Sequence, residues 1–289
     1  MQTEMVNLVK EQETMLITLY AKALESRSKR AILHDPWAEL AISKIQHNFK
    51  KFRVGRKGSL LLSIRAKVFD LVTEEFLRNH SRVTVLNLGC GLDSRVYRVN
   101  PAESVSWYDV DYPEVIDLRQ RLYPTRANYH LVASPLSELE WIDEVKTDQP
   151  VLAMAEGVTM YLTEKIMKQL LNRVVDRFPS GHIIFNSFSK LLIQLMSRST
   201  LRGTGATFTW GISTPQQVIE LEPRLGFVSS LKTSDFPGFS RLSISDRMIT
   251  WLMMDLIPIF RGSQLPLLYR FPLSKEPAKT ENSTLGSSN

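Results

Sequence analysis

The sequence predicts an α/β protein with a doubly wound, mostly parallel β-sheet and a helical cap at its N-terminus. From about residue 60 onward, segments with helical periodicity alternate with short apolar runs, a pattern that produces parallel strands covered by helices on both faces. The segments before residue 80 show helical periodicity without a strand pattern. We therefore expect a cap over 1–80, a main domain over 81–273 that includes substrate-lid insertions, and a disordered polar tail over 274–289.

The cap is expected to contain three helices. The first is predicted over residues 9–26, where apolar side chains recur near helical spacing. An Asp35-Pro36 turn predicts the start of a short second helix, because proline is favoured in the first turn of a helix. The third helix is predicted over roughly 59–78 and carries Arg65 just before the first strand.

The main domain is expected to contain seven strands. Two late apolar runs are expected to pair as a closing hairpin at one edge of the sheet. The first five strands are predicted at about 82–88, 105–110, 128–132, 150–155 and 182–187, and the closing pair at 227–231 and 265–271.

Composition restricts the class of protein. The 289 residues, 43% of them hydrophobic, are enough for one large core. Cys90 is the single cysteine, which excludes an internal disulfide framework and indicates a reducing, intracellular location. The five histidines show no metal-ligand spacing, so we expect no metal. We find no charged-then-apolar leader and no apolar run long enough to span a bilayer, so we expect a cytoplasmic protein without a membrane partner.

The most informative stretch is VLNLGCGLDSR, residues 85–95, in which an apolar strand runs into a glycine turn. Gly89 and Gly91 allow the backbone to turn sharply and to approach a ligand without a side-chain clash. By itself this signal is weak, since the same pattern occurs in ordinary turns. Two aspartates strengthen it, because Asp109 and Asp111 follow at about the twenty residues typical of a ribose-binding acid. Either could accept the ribose hydroxyls, and Asp111 could also cap the helix that follows.

The residues after the glycine turn bear on which adenosine cofactor is bound. A pyrophosphate fingerprint has a third glycine, whereas this chain has Ser94 there, preceded by Asp93. A carboxylate so close to a pyrophosphate is unfavourable. S-adenosylmethionine has no phosphate and carries an ammonium and a sulfonium, which nearby acids would stabilise. The missing third glycine and the presence of Asp93 therefore argue against a first alternative function, that of a NAD-dependent oxidoreductase.

Two further charged residues fit the same ligand. Arg65 is a candidate partner for the cofactor carboxylate, because a guanidinium can bind it through two hydrogen bonds. Glu156 follows the fourth predicted strand, and ligands bind at such strand ends in open α/β sheets.

These motifs together resemble the leucine carboxyl methyltransferase superfamily, and within it the tetracenomycin-type polyketide O-methyltransferases. The likeness covers about residues 11–245. It implies a class I methyltransferase fold with a helical cap, S-adenosylmethionine as methyl donor and an oxygen atom as acceptor. It places cofactor positions on Arg65, Gly89, Asp111 and Glu156, with Asp93 in the same loop. The runs that carry it are ETMLITLYAKALESR, SIRAKVFD, VLNLGCGLDSRVYRV, WYDVDYPEVIDLRQRL and AEGVTMYL.

The chain departs from the family pattern at two places. Where carboxyl methyltransferases have an Asp-Leu pair near the adenine, this chain has Ser134-Pro135, and Ser134 could still hydrogen-bond an adenine nitrogen. Where polyketide-type members often have an acidic segment, this chain has QHNF at residues 46–49, which predicts a different substrate preference.

The residues that bind the methyl acceptor carry a less specific pattern than those that bind the cofactor. A carboxylate acceptor needs no base, whereas a phenol or enol must lose its proton. Tyr20 and Tyr161 are the candidate groups at the acceptor pocket, because both lie in family-like motifs. The expected partner is a small molecule, with an acyl carrier protein as a candidate for presenting it.

Two more alternatives remain at this stage. One is a binding protein that kept the fold and lost turnover. The other is a nucleic-acid methyltransferase that uses the basic run at residues 50–57, but no known reading module accompanies that run, so we expect no nucleic-acid partner.

Overall fold

A seven-stranded sheet lies at the centre of the protein in the computed structural model, which describes residues 4–5, 11–199, 208–230, 238–252 and 266–272. The sheet follows the boundaries predicted from apolar runs to within one or two residues. Its strands are β1 (Val83–Leu88), β2 (Val105–Asp111), β3 (Tyr129–Ala133), β4 (Val151–Ala155), β5 (Gly181–Asn186), β6 (Gly226–Ser230) and β7 (Pro266–Phe271).

The strand order across the sheet is β3-β2-β1-β4-β5-β7-β6. The first five strands are parallel, while β7 is antiparallel to both β5 and β6. The predicted mostly parallel sheet and its closing antiparallel pair are therefore confirmed. Because β1 pairs with β2 on one side and β4 on the other, the order reverses there, and a crevice is expected at the carboxyl ends of these strands.

Helices cover both faces of the sheet. The strands β1 and β4 are buried along their whole length, as expected of strands with helices above and below. Side chains of β1 alternate between two apolar clusters: Leu86 and Leu88 join one, Val83 and Val85 the other. The helices of the main domain are α4 (Arg95–Val99), α5 (Pro113–Leu122), α6 (Glu164–Arg177), α7 (Lys190–Ser199), α8 (Gln216–Leu221) and α9 (Ile244–Trp251), numbered after the three of the cap.

Three helices precede the sheet: α1 (Glu11–Ser26), α2 (Pro36–Lys44) and α3 (Arg56–Asn79). They match the three predicted cap helices. The Asp35 carboxylate caps α2 by accepting a hydrogen bond from the backbone N–H of Ala38 at 2.9 Å. The helix α3 also packs on the sheet, because its Phe69 and Phe76 belong to the same apolar cluster as Val83 and Val85.

Two predictions concern segments outside these elements. The tail over 274–289 lies outside the described residues. Within the described part of the chain, no helix is long and apolar enough to cross a membrane.

Candidate functional site

A cavity of about 410 Å³ lies where the strand order predicts it, beyond the carboxyl ends of β1 to β4. Residues of α1 and the Arg65 side chain of α3 also line it, so helices that precede the sheet contribute to its wall. The structure brings together eight of the ten predicted site residues in its lining: Arg65, Gly89, Gly91, Asp93, Asp111, Ser134, Glu156 and Tyr161.

The glycine turn after β1 requires the residues found there. Gly89 and Gly91 have φ of 63° and 51°, a conformation that other residues rarely adopt. A Cβ added to Gly89 would lie 2.6 Å from Cγ2 of Val158, which is far too close. The backbone N–H groups of Gly89 and Cys90 both donate to the Val110 carbonyl, at 2.8 and 3.1 Å, which ties the turn to the end of β2.

Asp111, at the end of β2, faces the cavity beside this turn. Its carboxylate accepts backbone hydrogen bonds from Gly91 at 2.7 Å and from Tyr112 at 2.8 Å. Burial raises the pKa of Asp111 to about 6, although these two bonds and the Arg119 charge oppose the rise. A carboxylate has about four acceptor sites, so Asp111 can accept further hydrogen bonds from a ligand.

Asp109 does not line the cavity, although it was predicted as the alternative ribose-binding acid. It points into the protein, is 1% exposed, and forms an ion pair with Arg119. Because its carboxylate is already occupied by protein donors, Asp111 is the aspartate of this strand that is available to a ligand. The hydrogen-bond donors to Asp109 besides Arg119 are Asn87 at 2.7 Å, Trp107 at 2.9 Å and Tyr129 at 2.7 Å.

Arg119 of α5 forms hydrogen bonds to the backbone of the glycine turn, a role that sequence analysis missed. One guanidinium nitrogen donates to the carbonyls of Gly91 and Asp93, both at 2.8 Å, and the other forms the ion pair with Asp109. Asp109 therefore acts on the cavity wall through Arg119. In the sequence Arg119 is one of two basic residues of the amphipathic helix α5, and nothing distinguishes it from a surface arginine.

Opposite charges are paired at the β4 side of the cavity. Arg65 donates through Nε to Glu156 at 2.8 Å, and Glu156 also pairs with Arg95. Burial alone would raise the pKa of Glu156, but the charges of Lys22, Arg65 and Arg95 outweigh it and hold the pKa below its usual range. Glu156 is thus a carboxylate at neutral pH.

Lys22 of α1 is a third basic side chain of the lining, and sequence analysis did not single it out. Its Nζ lies 3.2 Å from Asp93, and its side chain is 5% exposed. Burial would raise the pKa of Asp93, but Arg95, Arg98 and Lys22 outweigh it and lower the pKa well below its usual range. A lysine with so little exposure is unusual and requires such a partner. Helical periodicity alone cannot show that this position faces a cavity instead of the apolar core.

The two predicted tyrosines have different positions. Tyr161 lines the cavity, with its hydroxyl 3.4 Å from the Thr14 hydroxyl and its ring against Phe208. Tyr20 is not in the lining and stacks on Phe49, with ring centroids 5.4 Å apart. The structure therefore favours Tyr161 of the two candidates for contact with an acceptor.

Ser134 lies in the lining after β3, where the adenine contact was predicted. Its hydroxyl is 3.3 Å from the carbonyl of Glu138, and its backbone N–H donates to the Asp111 carbonyl at 2.9 Å. The loop after β3 is thereby attached to the end of β2, next to the proposed ribose acid.

Histidine is absent from the lining. All five histidines lie in the described ranges, and none of them lines the cavity. Cys90 does line it, but burial raises the pKa of its thiol well above the usual value, so it is not a thiolate nucleophile. Within the described ranges, no group of three or more His, Cys, Asp or Glu side chains is arranged to hold a metal ion.

Known proteins are similar in sequence to this chain over most of its length. The sequence model of the leucine carboxyl methyltransferase family matches residues 15–175. The tetracenomycin polyketide synthesis O-methyltransferase TcmP of Streptomyces glaucescens is 37% identical over 269 residues, which are 93% of this chain and 99% of TcmP. The S-adenosyl-L-methionine-dependent methyltransferase dpfgK of Gibberella zeae is 34% identical over 244 residues, which are 77% of this chain and 82% of dpfgK.

Solved structures show a weaker likeness. The crystal structure of magnesium protoporphyrin IX methyltransferase from Synechocystis PCC 6803 aligns with a TM-score of 0.45 and 10% identity, over 82% of this chain and 92% of that chain. A likeness of this size carries no argument about chemistry.

Proposed function

The chain belongs to the leucine carboxyl methyltransferase family, and from this membership we propose that it transfers a methyl group from S-adenosylmethionine to an oxygen atom of a small organic acceptor. The membership confirms the resemblance drawn from the sequence motifs. The observation that carries the proposal is the cavity, in which a glycine turn and a buried carboxylate at the next strand end occur together with the Arg65–Glu156 pair.

The charges of the lining support a methyl donor over a dinucleotide. Equal numbers of acidic and basic side chains line the described cavity, so no net positive charge is present to bind a pyrophosphate. This disfavours the NAD-dependent oxidoreductase. The basic residues are Lys22, Arg65 and Arg95, and the acidic ones are Asp93, Asp111 and Glu156.

Each part of the donor has a matching group in the lining. Asp111 suits the ribose hydroxyls, and Ser134 with the loop after β3 suits the adenine. Arg65 and Lys22 suit the carboxylate, while Glu156 and Asp93 suit the ammonium group. When bound, S-adenosylmethionine supplies an electrophilic methyl group on its sulfonium. The chain then has to hold the acceptor oxygen in line with that methyl and exclude water.

The acceptor is proposed to arrive as an anion. No histidine lines the cavity, and the described carboxylates of the lining are paired with cations or backbone N–H groups. These carboxylates are assigned to charge pairs or, in the case of Asp111, to the ribose, so we favour a carboxylate acceptor, which needs no base, over a neutral phenol or enol. Tyr161 and Thr14 are the polar groups proposed to orient it.

The finer identity of the acceptor follows from the relatives. The name of TcmP refers to polyketide synthesis, and we propose a polyketide-like acid, either free or presented by an acyl carrier protein. A cytoplasmic location is proposed as well, because the chain has a single, buried cysteine.

The function is tested by calorimetric titration with S-adenosylmethionine and, separately, with NADH. We expect binding of the methyl donor only. The protein is then incubated with labelled donor and a panel of carboxylic acids and phenols, and the methylated product is identified. Binding of NADH alone would refute the proposal, whereas donor binding without transfer to any member of the panel would favour a non-catalytic binding protein.

Donor affinity is expected to fall as the pH is lowered. The pKa of Asp111 is raised to about 6, so this carboxylate is ionised at pH 7 and mostly protonated at pH 5. Since the charged form is the better acceptor for ribose hydroxyls, the Kd for S-adenosylmethionine should rise about tenfold between these two pH values. Calorimetry at several pH values measures it. Asp111→Asn should bind weakly without this step, and a flat wild-type profile from pH 7 to 5 would contradict the assignment of Asp111.

A further inference from the structure

We propose that Asp70, which does not line the cavity, is the positioning residue for the amino-acid end of the methyl donor and acts through Arg95. The inference rests on the proposed function, because it assigns a role in binding that donor. Asp70 lies on α3 and is 2% exposed. The family-like motif SIRAKVFD ends at Asp70, but sequence analysis assigned no role to this residue.

Asp70 is a junction for two arginines. Its carboxylate accepts a hydrogen bond from Arg95 Nε at 2.8 Å and two from Arg98, through Nε at 2.8 Å and Nη2 at 2.9 Å. Burying a carboxylate is costly unless it is paired in this way. The charge-assisted bonds fix the direction of both guanidinium groups.

Arg95 carries the effect to the cavity. It is fully buried, its guanidinium lies 5.3 Å from the centroid of the Phe69 ring, and Asp70 holds its Nε. Its Nη2 reaches both acids proposed for the donor ammonium: it pairs with Glu156 and lies 3.0 Å from Asp93. The positions of these two acids therefore depend on Arg95, and the position of Arg95 depends on Asp70.

Charge balance gives Asp70 a second effect on binding. The buried network contains four acids and four bases, so its formal charges cancel: the acids are Asp35, Asp70, Asp93 and Glu156, and the bases are Lys22, Arg65, Arg95 and Arg98. Neutralising Asp70 leaves one positive charge in surplus next to Arg95. S-adenosylmethionine carries a net positive charge, whereas its demethylated product, S-adenosylhomocysteine, carries none. The surplus should therefore disfavour the donor more than the product.

Asp35 provides a matched control. It is also a fully buried aspartate of this network and pairs with Arg98 at 2.7 Å. The described partners of its carboxylate are Ser94, Arg98 and the backbone N–H of Ala38, and Arg95 is not among them. Asp35→Asn removes the same charge from the network but leaves the support of Arg95 in place. A role limited to folding would make the two variants alike.

The test compares Asp70→Asn and Asp35→Asn with the wild type by calorimetry with S-adenosylmethionine and with S-adenosylhomocysteine. For Asp70→Asn we expect the Kd of both ligands to rise about tenfold because Arg95 has lost its support, and the donor Kd to rise further because of the surplus charge. The KM for the acceptor should be unchanged. For Asp35→Asn, which leaves the same surplus charge, we expect a lower Tm and weaker binding of the donor, but a product Kd close to that of the wild type, because Arg95 keeps its support.

A second variant guards against a folding failure of Asp70→Asn. The double replacement Asp70→Asn with Arg98→Met removes one acid and one base together, so no surplus charge is buried, but Arg95 still loses its support. It should bind both donor and product more weakly than the wild type. An unchanged product Kd in Asp70→Asn, the same rise of the product Kd in Asp35→Asn, or normal binding by the double variant would overturn the inference. If instead the wild type fails to bind the donor, the proposed function itself fails.

Discussion

Arg65→Met is expected to weaken S-adenosylmethionine binding about a hundredfold, because truncating one partner of a buried charge pair typically costs 2–5 kcal/mol. The replacement removes the cation proposed for the donor carboxylate. It also removes the hydrogen bond from Nε to Glu156, leaving that carboxylate with Arg95 as its described ion-pair partner. Calorimetric titration gives the Kd, and turnover at saturating acceptor should fall in parallel.

Arg82→Met is the matched control for Arg65→Met. Arg82 also pairs with an acid at 2.9 Å, but the pair is exposed, with 65% and 61% of the two side chains accessible, and Arg82 is not in the cavity lining. Exposed pairs contribute less than about 1 kcal/mol to stability, so both folding and donor binding should be preserved. Donor affinity in Arg65→Met within threefold of the wild type would refute the assignment of Arg65.

Gly89→Ala is expected to abolish measurable donor binding. The new Cβ would lie 2.6 Å from Val158 Cγ2, and the backbone φ of 63° is unfavourable for alanine. The strained backbone should lower the free energy of unfolding by about 1–3 kcal/mol. The displaced Val158 or the shifted turn should then deform the cavity wall. Chemical denaturation measures the stability loss and calorimetry the loss of binding.

Two further variants test the effect of Gly89→Ala. One is a control at another glycine, and the other separates the clash with Val158 from the backbone strain. Gly58→Ala lies in the helix α3, where the nearest atom to the added Cβ is 3.8 Å away, so it should raise stability by about 0.5–1 kcal/mol without affecting binding. The double variant Gly89→Ala with Val158→Ala removes the clash but keeps the backbone strain, so it should recover part of the affinity. Wild-type binding by Gly89→Ala would show that the turn does not approach the donor.

The order of elements could be predicted from the sequence because it depends on periodicity. The parallel strands are continuous apolar runs and the helices have a 3.6-residue repeat, so β1 to β5 and α1 to α3 were found within a few residues of their observed bounds. The glycine turn and Asp111 were found because their spacing is set by the fold itself.

The pairing of charges could not be predicted in the same way. Lys22, Arg95 and Arg119 are buried, yet each occurs in a helix among other charged residues, where a solvent-facing position is the usual outcome. Their partners are distant in sequence: Arg95, for example, pairs with Asp70 and Glu156. The choice between Asp109 and Asp111 also required the structure. The two residues are two positions apart on β2, so strand alternation places both on the same face and cannot distinguish them; they differ in the partners of their carboxylates.

The proposed division of the chain at residue 80 separates the strands from two of the cations proposed to bind the donor. Lys22 and Arg65 both precede that point, although the sheet begins at Val83. A fragment expressed from residue 81 would therefore encode every strand of the sheet and still lack both groups proposed for the donor carboxylate. Anyone who trims this protein for expression, or exchanges its N-terminal helices with those of a relative, is altering the affinity for the methyl donor as well as the choice of acceptor.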